Sequence, residues 1–361
     1  MPRPEDRRLQ ADLSAANGAP SDPRLSRGRT SHGPEGSIDL IAADVGGTHA
    51  RVGHVRIAAD GTQSVLGYRQ YDCADHPTLA AVLRAFMAQA GVGHAADAAV
   101  AIAGVLDGDM LVNSNLPWPV SLAQTRHDAG LRTLTLLNDF EAVAFAVPHV
   151  DSSQASLVCG DPAVPEEAPV LVLGPGTGLG AALYLPGMPP RVLPSEAGHA
   201  ALAVGSEREL EVLRHLLGRW PHVDADRVLS GPGLVNTYGA LCALDRVDPR
   251  LSTPSAISRA ALDGRDRQAI EALSIFCALL GSFAGDLALA FGARQVHLAG
   301  GIPARIAPFL RESDFAMRFR NKGVLAGQLA RTPVWLVEHG LLGVLGAALA
   351  WAAGREANPQ P

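Results

Sequence analysis

Two stretches of the chain share one pattern of hydrophobic and polar positions. Residues 40–55 read L-I-A-A-D-V-G-G-T-H-A-R-V-G-H-V and residues 170–185 read V-L-V-L-G-P-G-T-G-L-G-A-A-L-Y-L. Each is an apolar run, a Gly/Thr turn, and a second apolar or alternating run, which predicts strand, tight turn, strand. Glycines in such a turn let backbone N–H groups approach an anion, with a Thr hydroxyl beside them. The copies lie about 130 residues apart, as in a duplicated fold that holds one nucleotide between its halves. Two ordinary hairpins with glycine turns are the plainer alternative.

The remaining pattern fills in an α/β chain. A third strand is predicted over 64–71, a helix over 77–91 with Pro near its start and Gly at its end, and a strand over 97–104. Residues 113–119, N-S-N-L-P-W-P, read as a loop; 134–137 as a short buried strand ending at Asn138-Asp139; and 140–147 as a helix. The Pro-rich segment 162–169 marks a boundary. Helices are predicted over 206–218, 233–244, 255–263 and 267–292, strands over 295–299 and 333–337, and a last apolar helix over 341–353. The longest apolar run, 272–285, is too short to span a bilayer and is flanked by Glu271 and Asp286, so it reads as a buried core helix.

Composition narrows this picture. The 361 residues exceed one typical core, which predicts two domains; 47% are hydrophobic and 18% charged, as in a soluble globular protein. A net charge of −6 argues against nucleic acid as a partner. The four cysteines, Cys73, Cys159, Cys242 and Cys277, are scattered, with no C-x-x-C pair or Cys/His cluster, so no structural zinc is expected and a reducing cytoplasm is. Residues 1–36 are polar and rich in Arg, Pro, Ser and Gly; they read as a disordered tail, with neither a signal peptide nor a membrane segment in view.

The familiar glycine motifs do not fit. Neither turn carries the Lys of a P-loop, and the segment after Gly178 reads as a strand where a dinucleotide fingerprint opens a helix. Candidate chemistry sits instead at the ends of apolar strands. Asp44 precedes the first turn, where a carboxylate serves a Mg²⁺ or makes an Asx turn. Asp139 either takes a proton from a hydroxyl attacking phosphorus or caps the helix starting at Phe140. Glu196 and His199 pair an acceptor with an imidazole, suited to vicinal hydroxyls, or lie idle on the surface. Gly300-Gly301, and Gly231-Pro232-Gly233 at a helix start, permit a close backbone approach to a nucleotide or are plain turns.

Together these residues resemble the bacterial glucokinases, the hexokinase-like branch of the duplicated actin-like (ribonuclease H-like) ATPase fold. The matching motifs, in order, are A-D-V-G-G-T-x-A-R (43–51), N-x-x-W (115–118), N-D-F (138–140), G-P-G-T-G-L-G (174–180), L-P-S-E-A-G-H (193–199), R-V-L-S-G-P-G-L-V-N (227–236) and A-G-G-I (299–302), spanning about 38–352. The resemblance implies two α/β domains with a cleft between them and ATP-dependent phosphorylation of the glucose 6-hydroxyl. It makes Asp139 the general base, and Asn115, Asn138, Asp139, Glu196, His199 and Asp226 the sugar site. ATP is expected on Ala43, Asp44, Val45, Gly46, Gly47 and Thr48, on Gly174, Gly176, Thr177 and Gly178, and on Gly300 and Gly301. Mg²⁺ is expected at Asp44, directly or through water. The implied small domain is 37–149 plus 340–355, the large domain 150–339, and the assembly a homodimer.

Two positions depart from the family pattern: His49 stands where Asn is usual, and Asp226 where Glu contacts a sugar hydroxyl. A carboxylate one methylene shorter falls short by about an ångström, which matters in a positioned site. A sugar-binding sensor with little turnover and a kinase for another hexose are therefore the competing readings. The related zinc-containing sugar kinases and repressors carry cysteines after the sugar-binding His; here Ala200-Ala201-Leu202-Ala203-Val204 follows His199.

Overall fold

The computed structural model describes residues 36–112, 116–150, 154–163, 167–337 and 340–357. Residues 1–35 of the expected tail and the sugar-site candidate Asn115 lie outside the described residues.

The first sheet is built from β1 (Ile38–Val45), β2 (His49–Ile57), β3 (Gln63–Asp72), β4 (Asp97–Ile102) and, after a short β5–β6 hairpin (Val105–Asp107, Met110–Val112), β7 (Thr133–Leu137). Its order is β3-β2-β1-β4-β7, antiparallel through β1–β3 and parallel from β1 through β4 to β7. The second sheet uses β8 (Ala155–Cys159), β9 (Val170–Pro175), β10 (Leu179–Leu185), β11 (Arg191–Ser195), β12 (Gln295–Leu298) and β13 (Val334–Val337). Its order is β11-β10-β9-β12-β13-β8, with the same directions and one added antiparallel edge strand, β8. The duplication expected from the two glycine hairpins is thus present as a repeated topology: the α/β, actin-like ATPase fold.

Side-chain alternation along the central strands feeds two cores at once. In β9 and β10, Leu171, Leu173, Ala181 and Leu183 face one core, while Val170, Val172, Ala182 and Tyr184 face another. Both faces are covered, so these strands read as continuous apolar runs. Helices α1 (Leu79–Ala90) and α2 (Leu122–Ala129) cover one face of the first sheet. After α3 (Asp139–Ala146) and β8–β11, α4 (Glu207–Leu217), α5 (Gly231–Leu244), α6 (Pro254–Leu262) and α7 (Arg267–Ala290) cover the outer face of the second. Four short helices, α8 (Gly301–Arg305), α9 (Ala307–Glu312), α10 (Phe315–Arg320) and α11 (Ala326–Arg331), lead to β13, and α12 (Leu342–Ala357) closes the chain.

Helices α3 and α12 lie between the two sheets. Val344, Ala347, Ala348 and Trp351 of α12 pack with Leu40, Ala42, Ala99 and Ala101 of the first sheet. Val143, Ala144 and Phe145 of α3 pack with Val170, Val172 and Ala182 of the second. The two helices touch closely, because a Cβ at Gly346 would overlap the Ala142 carbonyl. Helix α7 is long and apolar enough, by length and composition, to cross a membrane, but 83% of its apolar window is buried inside the protein. That agrees with the core helix expected from 272–285.

Candidate active site

The strand β7 ends at Leu137 and the chain turns directly into α3, so the Asn138-Asp139-Phe140 run sits at the edge of the interface between the sheets. Asn138, not Asp139, is the cap: its Oδ1 accepts the N–H groups of Phe140 (2.8 Å) and Glu141 (3.2 Å). The Glu141 carboxylate in turn accepts the Asn138 backbone N–H, which completes a capping box. Asp139 is the first helical residue, and its Oδ1 lies 2.9 Å from the Phe140 N–H. The alternative of Asp139 as the helix cap is therefore replaced by Asn138 in that role. Burial pushes the Glu141 carboxyl upward against the pull of the Asn138 N–H.

The sugar-side candidates gather around a turn that follows β11. Glu196 precedes and His199 ends the 3-10 turn Ala197–His199, and the His199 N–H donates to the Glu196 carbonyl (3.0 Å). His199 Nδ1 lies 3.2 Å from Oδ2 of the buried Asp224, and its Nε2 lies 4.0 Å from Glu196 Oε2. Asp224 Oδ1 is held by the Arg227 N–H at 2.9 Å. With Nδ1–H donating to Asp224, the Nε2 of a neutral ring is left as an acceptor facing Glu196. Asp224 carries no local sequence signal, since its partner lies 25 residues earlier.

Asp226 links this turn to the second glycine hairpin. Its N–H donates to the Gly198 carbonyl (2.9 Å), and its Oδ1 accepts the Leu179 N–H at 2.6 Å. Burial raises its carboxyl above the usual range, with Asp224 adding to the rise and the Leu179 N–H, His199 and Arg227 opposing it. A cavity of about 320 Å³ opens between β4, β7, α3 and β11. Asn138, Glu141 and Glu196 supply its polar edge and Ile102, Leu106, Leu111, Leu136 and Pro194 its apolar wall. Of the predicted sugar residues, Asn138 and Glu196 line it; His199 joins through Asp224 and Glu196.

The two turns are closed by their own backbones. Gly46 N–H donates to His49 O at 2.9 Å, and Gly176 N–H to Gly178 O at 2.8 Å. Cys73 supports the first from below, with its N–H on Thr48 O (2.8 Å) and its Sγ 3.4 Å from Gly46 O. Helix α5 supports the second, with Gly231 N–H on Gly176 O (2.8 Å). Gly46, Gly47, Thr48, Thr177 and Gly178 are exposed and Gly176 is half-buried. Ala43 and Val45 are buried in the first-sheet core, which leaves only their backbone for a ligand. Gly300 has φ +104° and a Cβ there would stand 2.9 Å from Pro175 O, so glycine is needed for both conformation and space; Gly301 faces open space.

Gly174 differs from the turn glycines. A Cβ on it would overlap the Phe140 ring, so its side-chain face is filled from within the protein. His49 turns toward β3, with Nδ1 2.6 Å from Oδ1 of its cross-strand neighbour Asp72. Asp44 is buried at the end of β1, 3.1 Å from Arg51 Nη1, and the start of α12 presses on it: a Cβ at Gly343 would sit 2.9 Å from its Oδ2. Among the described residues no three His, Cys, Asp or Glu side chains gather as a metal cage. Asp44 therefore suits a Mg²⁺ that takes one carboxylate from the protein and its other oxygens from phosphate and water.

Comparisons with known proteins identify the family. The family model described as Glucokinase matches residues 41–354. A glucokinase-like protein of Xylella fastidiosa (strain 9a5c) is 44% identical over 324 residues, covering 88% of this chain and 96% of that protein. A glucokinase of Paramagnetospirillum magneticum is 40% identical over 314 residues, covering 86% and 96%. Among solved structures, a glucokinase from an Antarctic psychrotroph superimposes with a TM-score of 0.77 at 32% identity, covering 87% of this chain and 98% of that one. The chain belongs to the glucokinase family.

Proposed function

We propose that this kinase transfers the terminal phosphoryl group of ATP to the 6-hydroxyl of glucose, giving glucose 6-phosphate and ADP. Asp139 carries the reading. It starts α3 between Asn138 and Glu141, two residues that line the cavity, and the ring of the next residue, Phe140, packs against Gly174 and Gly180 of the second glycine hairpin. In the proposed step, Asp139 accepts the 6-hydroxyl proton as O6 bonds to the γ-phosphorus and the bond to the β–γ bridging oxygen breaks. Glu196, and His199 oriented by Asp224, hold neighbouring hydroxyls; Asn138 edges the same cavity. The backbones of 46–48 and 176–178 cradle the phosphates, with Gly300-Gly301 toward the adenosine. Asp44 would hold Mg²⁺, which neutralises phosphate charge when bound.

Residues 37–149 with 340–355 form the small lobe and 150–339 the large lobe in this reading, closing on sugar to exclude water. All four cysteines are free thiols, which supports a reducing, cytoplasmic setting. The family resemblance adds a homodimer. A coupled assay of the purified protein with glucose, ATP and Mg²⁺ tests the proposal. Turnover of about one per second or faster is expected. Glucose binding without product would replace the kinase by a sensor, and faster turnover of another hexose in a sugar panel would change the substrate.

A further inference from the structure

The G-P-G-T-G-L-G run divides its four glycines between two neighbours. Gly176 and Gly178 form the turn. Gly174 and Gly180 face each other across β9 and β10. A Cβ on either would run into the ring of Phe140; at Gly180 the three nearest atoms all belong to that ring, with Cγ at 2.5 Å. Neither glycine has a positive φ, so backbone conformation does not require them. Glycine weakens a strand interior and often marks the close approach of another group; here that group is one aromatic ring lying in a slot two glycines wide.

The residue that fills the slot is also bonded to the reacting end of α3. The Phe140 N–H donates to Asn138 Oδ1 (2.8 Å) and lies 2.9 Å from Asp139 Oδ1. One residue thus touches the Asp139 carboxylate with its backbone and the second hairpin with its ring. The opposite side of α3 meets α12 at Ala142 and Gly346, so the slot is also a joint between the two halves of the molecule. We infer that Phe140 is a positioning residue: its ring, keyed between Gly174 and Gly180, sets the distance between the proton acceptor and the phosphate turn 176–178. The inference rests on the roles proposed above for Asp139 and that turn.

The test is a double-mutant cycle of Gly180→Ala and Phe140→Ala, with kcat, KM for glucose and ATP, and Tm measured for all four proteins. Gly180→Ala should drive the ring out of its slot by about an ångström and lower kcat roughly 10- to 100-fold. KM for ATP should stay within about threefold, because the turn keeps its own backbone bonds. With the ring already removed, Gly180→Ala should cost less than about threefold. Equal losses in both backgrounds, or a folded Gly180→Ala protein with wild-type kcat, would overturn the inference. Should Gly180→Ala fail to fold, Phe140→Leu keeps an apolar filler without the flat ring. A kcat about tenfold lower at a nearly unchanged Tm supports positioning, and an unchanged kcat overturns it. Absence of turnover in the wild-type protein would sink the kinase reading itself; wild-type turnover with independent mutational effects would sink only the role of Phe140.

Discussion

At the scale of single residues, the site divides its carboxylates by what already holds them. Asp139, the proposed general base, is the first residue of α3, and the helix end is capped by Asn138 and Glu141. Asp139→Asn should therefore fold normally, keep glucose binding in a titration and lose about 10²- to 10⁴-fold in kcat. Turnover close to wild type would leave it an ordinary helix residue. In the proposed sugar site Asp224 acts through His199, 3.2 Å away. Asp224→Asn keeps an oxygen for the Arg227 N–H but removes the charge that fixes the imidazole, so KM for glucose should rise about tenfold with a smaller change in kcat. A kcat loss larger than the KM change would contradict that role. Asp226 is committed to the Leu179 N–H at 2.6 Å, and its Oδ1 stands 3.2 Å from the Cβ position of Gly178. The shorter side chain is fitted to this contact. Asp226→Glu should push on the second turn and lower kcat/KM for glucose, and a gain in efficiency would show that the longer carboxylate reaches the sugar.

Whole elements explain why some of this was legible in the sequence and some was not. Strands β1, β4 and β9 are buried on both faces and stand out as continuous apolar runs. The two glycine turns announce themselves because turn chemistry is local. Helix α2 has no such signal: only Thr125 and Ala129 are buried, so its capped ends at Ser121 and Gly130 flank a segment without an apolar stripe. The short β5–β6 hairpin and the edge strands β8 and β11 bury too little to show a pattern. The slot joining Phe140 to Gly174 and Gly180, and the pairing of His199 with Asp224, link separate elements, and no periodicity encodes them. Helix α12 supplies another contact of this kind. Its Gly343 lies against Asp44, where a Cβ would stand 2.7 Å from Cγ. Gly343→Ala should displace the carboxylate and raise KM for MgATP several-fold while leaving KM for glucose nearly unchanged. Equal effects on both substrates would indicate a general loosening of the helix instead.

Across the whole molecule, two sheets of repeated topology enclose α3 and α12, and the proposed general base and the second glycine turn lie on elements that pack against each other there. Stability of the second sheet is then a condition for geometry at the site, and its central strand contains a buried ionisable group. His297 lies in β12 between Val172 of β9 and Trp335 of β13. Its Nε2 is 3.3 Å from Gln295 Oε1, and its Nδ1 has no protein partner among the described residues. Burial lowers its pKa from 6.5 to about 4. The native protein therefore binds fewer protons than the unfolded chain between those values. The stabilising effect of keeping the ring neutral is complete above pH 6.5 and is lost as pH falls toward 4, by about 3 kcal/mol in all. Glu141, raised by burial, acts in the opposite sense, losing stability as pH rises through its folded value. Comparing two proteins that share Glu141 cancels that contribution. Replacing the ring by an apolar side chain, His297→Leu, should leave a protein that loses less stability than wild type between pH 7.5 and 4.5 in urea titrations. The stability difference between the two proteins should stay constant above about pH 7 and shift steadily in favour of the variant as pH falls below it. Parallel losses in the two proteins would place the acid sensitivity elsewhere, and a variant weaker at every pH by a constant amount would mean that the imidazole matters in β12 for its shape and its bond to Gln295, not for its charge.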